Sequence, residues 1–284
     1  MRSLAREGGA VARWDVARAA RPGRCAGAGL AGFRDLGTGP VAVGLVPRPA
    51  VTVVVEFGDG PFSVVDGAGR QHRGSLAAGL VPPGGARLRG EGVTCVEVHL
   101  PPPTAFRVLG IRPAELAGGV VPLDALWGRD LARLREQLWA APSWRERFAL
   151  TDAVLSDRSG TGPSADPEVA RAWHRIVAAR GRIRIGELAA EVGWSRGRLW
   201  SGFRSQIGLT PKRAAMLVRF RYAAHRLVAG ASAAAVAAEC GYVDQSPLHH
   251  ETVAFTGLTP AALAGDPGVT VDDTGWTDPR PGGR

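Results

Sequence analysis

The sequence predicts an α+β protein of two domains, a β-rich barrel or sandwich carrying helices in the N-terminal half and an all-α domain after it. Three features of the chain predict this. Between residues 41 and 100, short β-branched runs are separated by turn residues at close spacing, the pattern of an antiparallel β domain. Residues 156–166 are polar, contain glycine and serine and lack an apolar period, and so read as a linker. Beyond them, residues 182–263 carry an internal repeat whose apolar positions follow a helical period.

Residues 1–39 are rich in Arg, Gly and Ala without a sustained period, so an irregular leader is expected there. The first domain, a sensing or dimerising unit, is placed at 40–155. Residues 51–57 form a continuous β-branched run, Gly58 and Gly60 turn the chain into a second run at 62–65, and further breakers stand at 66–69, 82–85 and 90–92. Residues 93–100 alternate inward and outward positions, and Pro101, Pro102 and Pro103 close the strands. Residues 130–140 then set Leu131, Leu134 and Leu138 on one stripe, and 144–155 offer Trp144, Phe148, Leu150 and Val154. Two such amphipathic helices pack either on their own β domain or on a second copy of the chain.

After the linker, Asp166, Pro167 and Glu168 supply a cap, an N1 proline and a first-turn acid. The helix they start buries Trp173, Ile176 and Val177 and stops at Gly181, opening a second domain at 167–265. In the repeat, a short apolar-faced helix (Leu188, Ala189, Val192; Val236, Ala237, Cys240) ends at a glycine, as a left-handed cap requires. A polar cap follows, Ser195 in the first copy and Asp244 or Ser246 in the second, and then a second helix. Gly193 and Gly241 stand 48 residues apart and Gly208 and Gly257 stand 49 apart, so the copies match with one inserted residue. Each copy is a helix-turn-helix, whose second helix is the one that fits a DNA major groove. Between them, Thr210 and Pro211 start a longer helix to about Val228, with Ala215, Val218, Tyr222 and Leu227 on its buried stripe. Residues 266–284, rich in Pro, Gly and Asp, are expected to be a disordered tail.

Two such units at this spacing, each ending in Gly-Leu-Thr-Pro (208–211 and 257–260), resemble the DNA-binding domain of AraC/XylS-type bacterial transcription regulators. Residues 240–246 and 255–260 of the second copy carry the likeness furthest, and it spans roughly 167–264. The resemblance implies that the helix from Thr210 joins two DNA-reading units, and that the β-rich half senses an effector or dimerises. It also implies where reading residues stand. In the first copy Gly197, Trp200 and Ser201 match positions that face bases, Arg196 lies near the backbone, and Arg198 and Arg204 point outward. In the second, Gln245, Ser246, His249 and His250 are the matching outward positions. Arginine forks to guanine or phosphate, glutamine pairs with adenine, and histidine donates to guanine or phosphate. The chain departs from the pattern where basic residues are common, at Ser201, Gly202, His250, Val253 and Ala254, which implies a weaker grip by both units.

Charge agrees with this reading. The chain carries a net +9, and residues 166–265 hold 13 Lys+Arg against 7 Asp+Glu, as a phosphate-binding surface needs. The expected partners are promoter double-stranded DNA, a small-molecule effector, a second copy of the chain, and RNA polymerase if the protein activates. Cys25, Cys95 and Cys240 are far apart without a Cys-x-x-Cys pair, which reads as reduced thiols of a cytoplasmic protein. No window approaches the ~18 apolar residues of a membrane span. Adjacent His249 and His250 diverge on a helix and lack a carboxylate at ligand spacing, so no metal is expected. His72 and His99 are too isolated for a metal-dependent barrel enzyme, and no cysteine has the Pro-Cys-His-Arg context of an alkyltransferase. No catalytic residue and no cofactor is therefore assigned. The alternatives are a barrel enzyme with an autoregulatory DNA-binding domain and a non-specific architectural DNA binder.

Overall fold

The computed structural model describes residues 13–20, 23–81, 86–116, 119–266 and 269–270. The breaker at 82–85 lies outside the described residues. The strands run in chain order as β1 (Trp14–Arg18), β2 (Gly29–Asp35), β3 (Val41–Leu45), β4 (Val51–Glu56), β5 (Phe62–Asp66), β6 (Gln71–Arg73), β7 (Leu76–Ala78), β8 (Ala86–Gly90) and β9 (Thr94–Leu100). Helix α1 (Pro102–Leu109), a 3-10 turn at Pro113–Leu116, β10 (Val120–Pro122), α2 (Asp124–Trp127), α3 (Arg129–Ala140) and α4 (Trp144–Thr161) complete this half.

The strands build two open sheets rather than a closed barrel, in the orders β1-β2-β9-β4-β7-β10 and β3-β8-β5-β6. Val54, Leu76, Cys95 and Val120 of the larger sheet meet Phe62 and Val64 of the smaller in one apolar cluster, so the sheets face each other. The opposite face of the larger sheet presents Val51, Val53, Val55, Val96, Val98 and Leu100 to helices. β4 is therefore covered on both sides, which is why its sequence is an unbroken β-branched run rather than an alternating one. Leu131, Leu134, Leu138 and Phe148 of α3 and α4 enter that core, so both helices pack on their own domain.

Three sequence expectations need correction. The segment expected to be an irregular leader contains β1 and β2, with β2 paired to β9 from Gly29↔His99 to Arg34↔Thr94. Gly32 serves close packing, because a Cβ there would stand 2.3 Å from the Trp144 ring. The expected linker is half helical: α4 runs to Thr161, where Arg158 binds the Val108 carbonyl and Asp130, leaving only 162–166 extended. In the expected tail, β11 (Val269–Thr270) pairs in parallel with β3, and residues 271–284 lie outside the described residues.

The C-terminal half is α5 (Pro167–Ala178), α6 (Ile185–Glu191), α7 (Arg196–Ile207), α8 (Pro211–Val228), α9 (Ala233–Cys240), α10 (Gln245–Thr256) and α11 (Pro260–Gly265). Asp166 stands at the N-cap of α5 without capping it through its side chain. It exchanges two 2.8 Å hydrogen bonds with the Gln206 amide of α7 instead, tying the two helices together. The C-terminal end of α7 packs against the 3-10 turn, where a Cβ at Gly208 would stand 3.0 Å from the Ala114 backbone. A half-buried charge cluster also spans the halves. His99 hydrogen-bonds Glu97 at 2.7 Å, and Arg48 lies 3.7 Å from the same carboxylate. Burial pushes the Glu97 carboxyl up, but His99 and Arg48, with Arg221 of α8 adding to them, hold it down to about 2.

Candidate nucleic-acid interface

Both copies of the repeat are built by the same local chemistry. α6 gives way to Gly193 at φ 74° and α9 to Gly241 at φ 75°, left-handed turns that a side chain would strain. Ser195 then caps α7 by accepting the Arg198 N–H at 3.2 Å, and Asp244 caps α10 by accepting the Ser246 N–H at 2.7 Å. Of the two caps the sequence left open for the second copy, Asp244 is the one used. Each second helix ends at another left-handed glycine, Gly208 or Gly257, and a threonine then caps the next helix. Thr210 accepts from Arg213 and Thr259 from Ala262, each at 3.2 Å, with Pro211 and Pro260 at N1.

The buried faces fix how the second helices sit. Leu199, Phe203 and Ile207 follow one stripe of α7, and the Phe203 ring stacks on Trp173 of α5 at 6.3 Å. Leu248, Thr252 and Phe255 line α10, with Phe255 at 4.9 Å from Phe220 of α8. α8 thus anchors the second unit directly, and its own buried face includes Ala215, Val218 and Leu227 as the sequence indicates. Gly202, where a basic residue is common in the resembling family, lies beneath Trp194: a Cβ there would meet the indole at 2.9 Å. Packing therefore accounts for that departure.

What remains outward is mostly polar, with Trp200 and Val253 as the large apolar side chains exposed there. All ten residues singled out by sequence are exposed: Arg196, Gly197, Arg198, Trp200, Ser201 and Arg204 on α7, and Gln245, Ser246, His249 and His250 on α10. Aromatic rings steer two of the arginines, since the Arg198 guanidinium lies 4.4 Å from the centre of the Trp194 ring and that of Arg204 lies 5.4 Å from Trp200. Arg196 covers Gly186 at the start of α6, so the front of the first unit is lined by guanidinium groups. The His249 and His250 rings lie edge to face, 6.2 Å apart. Among the described residues no group of three or more His, Cys, Asp and Glu gathers as a metal site, and no helix is long and apolar enough to cross a membrane.

Sequence reasoning missed the anchor of the second unit. Glu251 is buried in α10, takes a hydrogen bond from the Tyr242 hydroxyl at 2.8 Å and pairs with Arg219 of α8, whose guanidinium lies 4.2 Å over the Tyr242 ring. Burial, together with the Glu251 charge, raises the Tyr242 phenol. Glu251 follows Leu248 by three residues on the apolar stripe, and a charged residue at such a position is the signal that marks a buried pair.

A helix-turn-helix domain family matches residues 188–265. No curated protein sequence matches the chain. Among solved structures, an apo point variant of ToxT from Vibrio cholerae overlaps at a TM-score of 0.47, with 10% identity over 84% of this chain and 97% of that one. The C-terminal domain of AraT, a response regulator from Geobacillus stearothermophilus, overlaps at 0.33 with 19% identity over 35% of this chain and 84% of that one. The AraC-like transcriptional activator CuxR overlaps at 0.28 with 15% identity, over 62% and 70%. The family match thus places a helix-turn-helix domain at residues 188–265.

Proposed function

We propose that the chain is a sequence-specific DNA-binding regulator that sets α7 and α10 into two successive major-groove segments on one side of the duplex, ~34 Å apart. The observation that carries this reading is the pair of second helices with buried apolar faces and largely polar outward faces, held through the single intervening helix α8. In this reading Arg196, Arg198 and Arg204 neutralise phosphates or fork to guanine, while Gly197, Trp200 and Ser201 face bases. Gln245 and Ser246 read base edges in the second segment, and His249 and His250 donate to guanine or phosphate. Because the two faces differ in sequence, one chain reads an asymmetric site.

The β-rich half then serves as the input. A small-molecule effector, a protein partner or a second copy of the chain acts through the packed contact between α7 and the 3-10 turn, and RNA polymerase is the further partner if the protein activates. Titration of a selected duplex against a scrambled one, across salt, tests the core of the proposal. Affinity should fall steeply with salt and favour the selected site. Arg196→Ala should weaken binding to both duplexes alike, while Gln245→Ala should blur preference at one base pair. Equal affinity for both duplexes would instead make the protein an architectural binder.

A further inference from the structure

Where the turn between α5 and α6 and the end of α9 meet α8, the surface dips into a half-open cavity of about 120 Å³ lined by Arg180, Arg182, Arg219 and Arg226, with Glu239 the one carboxylate in its lining. None of the ten reading positions contributes to it. Arg219, Tyr222 and Arg226 share one face of α8 at i, i+3 and i+7 spacing. Arg180 and Arg182 come from the turn between α5 and α6, and Glu239 and Cys240 from the end of α9. Arg226 grips Glu239 through bonds of 2.8 and 3.1 Å, and Arg219 pairs with Glu251.

The turn that supplies the other two is unusual. Arg180, at φ 51°, is the one non-glycine residue with positive φ among the described residues, in a conformation that ordinarily goes to glycine or asparagine. The next residue, Gly181, presses against the α8 backbone, where a Cβ would stand 2.1 Å from the Ala215 carbonyl oxygen. The turn is thereby clamped to α8, and the Arg180 guanidinium is set over the Tyr222 ring at 5.0 Å.

The position of the cavity names its ligand. The stem of Arg182 lies on Gly241, the turn glycine three residues before the cap of α10. On its other side the same loop leads into α6, whose Gly186 is covered by Arg196 at the start of α7. The cavity therefore lies between the leading ends of the two second helices. A duplex lying along both carries its sugar-phosphate backbone across that interval. Guanidinium forks match phosphate oxygens in geometry and charge.

We propose that this arginine-lined cavity holds a phosphate of the DNA backbone between the two major-groove segments, with Arg182, the exposed arginine of the α5–α6 turn, as its principal donor. The assignment rests on the reading that α7 and α10 engage one duplex. Full-length protein and its Arg182→Gln variant are compared on the selected and scrambled duplexes across salt; Arg182 is exposed, and circular dichroism checks that the variant keeps its fold. The variant should lose about tenfold in affinity on both duplexes and reduce the salt slope by about one. Methylphosphonate substitution scanned along the central phosphates should weaken the wild type at one position and leave the variant unchanged there. Arg180→Lys, which keeps charge but loses the fork, should fall between the two. Failure of the wild type to prefer its site removes the regulatory reading itself. A wild type that keeps its preference, with an unchanged slope and an equal methylphosphonate penalty in the variant, overturns the cavity assignment alone. So does an unchanged slope with Cys240 protected from alkylation by inorganic phosphate, which would make the cavity a site for a free anion.

Discussion

The two helix-turn-helix units share turn glycines and capped second helices of equal length but hold those helices by different forces. α7 is fixed by rings: Phe203 stacks on Trp173, and Trp194 closes over Gly202. α10 combines the Phe255–Phe220 contact with a buried carboxylate, Glu251, gripped by Arg219 and Tyr242. An apolar anchor tolerates small shifts at gradual cost, whereas an ion pair with a satisfied hydroxyl fails abruptly when one member is lost. The same backbone geometry thus rests on two supports that should break differently.

The largest effects should come from removing those supports. Phe203→Ala deletes a fully buried ring and is expected to destabilise the protein by about 3–5 kcal/mol. Arg219→Ala leaves Glu251 buried without its paired cation, and a loss of about 3 kcal/mol is expected. Urea unfolding measures both. If the units differ as described, Glu251→Gln should rescue part of the Arg219→Ala loss, while no conservative change near Trp173 should rescue Phe203→Ala. Equal behaviour in the two series would remove the distinction.

Caps come next in size. Ser195→Ala and Asp244→Ala should each cost about 1 kcal/mol, because each leaves an amide at the helix start unpaired. Asp244 also places a negative charge where the second unit is proposed to meet phosphate. Asp244→Asn keeps the cap and removes that charge, so fluorescence anisotropy should show DNA affinity rising by a few-fold, with no counterpart at Ser195.

A last effect, confined to acid, lies in the junction between the halves. The Glu97 carboxyl is held at about 2, below its ordinary value near 4.5, so its contribution to stability is complete above about pH 4.5 and is lost as pH falls toward 2. Acid unfolding of Glu97→Gln should lack that component. A wild type and variant with superimposable acid transitions would show that the cluster does not contribute.

Local chemistry made the C-terminal half legible from sequence. Ser195, Gly208, Thr210, Gly241, Gly257 and Thr259 act on their own backbone within a few residues, so their positions alone announce helix starts and stops. In the N-terminal half the same reasoning found β4, β5 and β9 but missed β1 and β2, because Gly29 and Gly32 look like breakers until Trp144 arrives from more than a hundred residues away. The helical run to Thr161 was hidden likewise, since Arg158 is held by the Val108 carbonyl and by Asp130, both distant in sequence.

The candidate interface divides along the same line. Which residues of α7 and α10 point outward followed from a period of 3.6 and the apolar stripe. That Glu251 is an anchor and that four arginines share one cavity depended on which segments meet α8, as did the steering of Arg198 by Trp194. Periodicity and capping are properties of a few consecutive residues, so the chain states them itself. Charge pairing and close approach are properties of whichever segments folding brings together, and only the tertiary structure decides them.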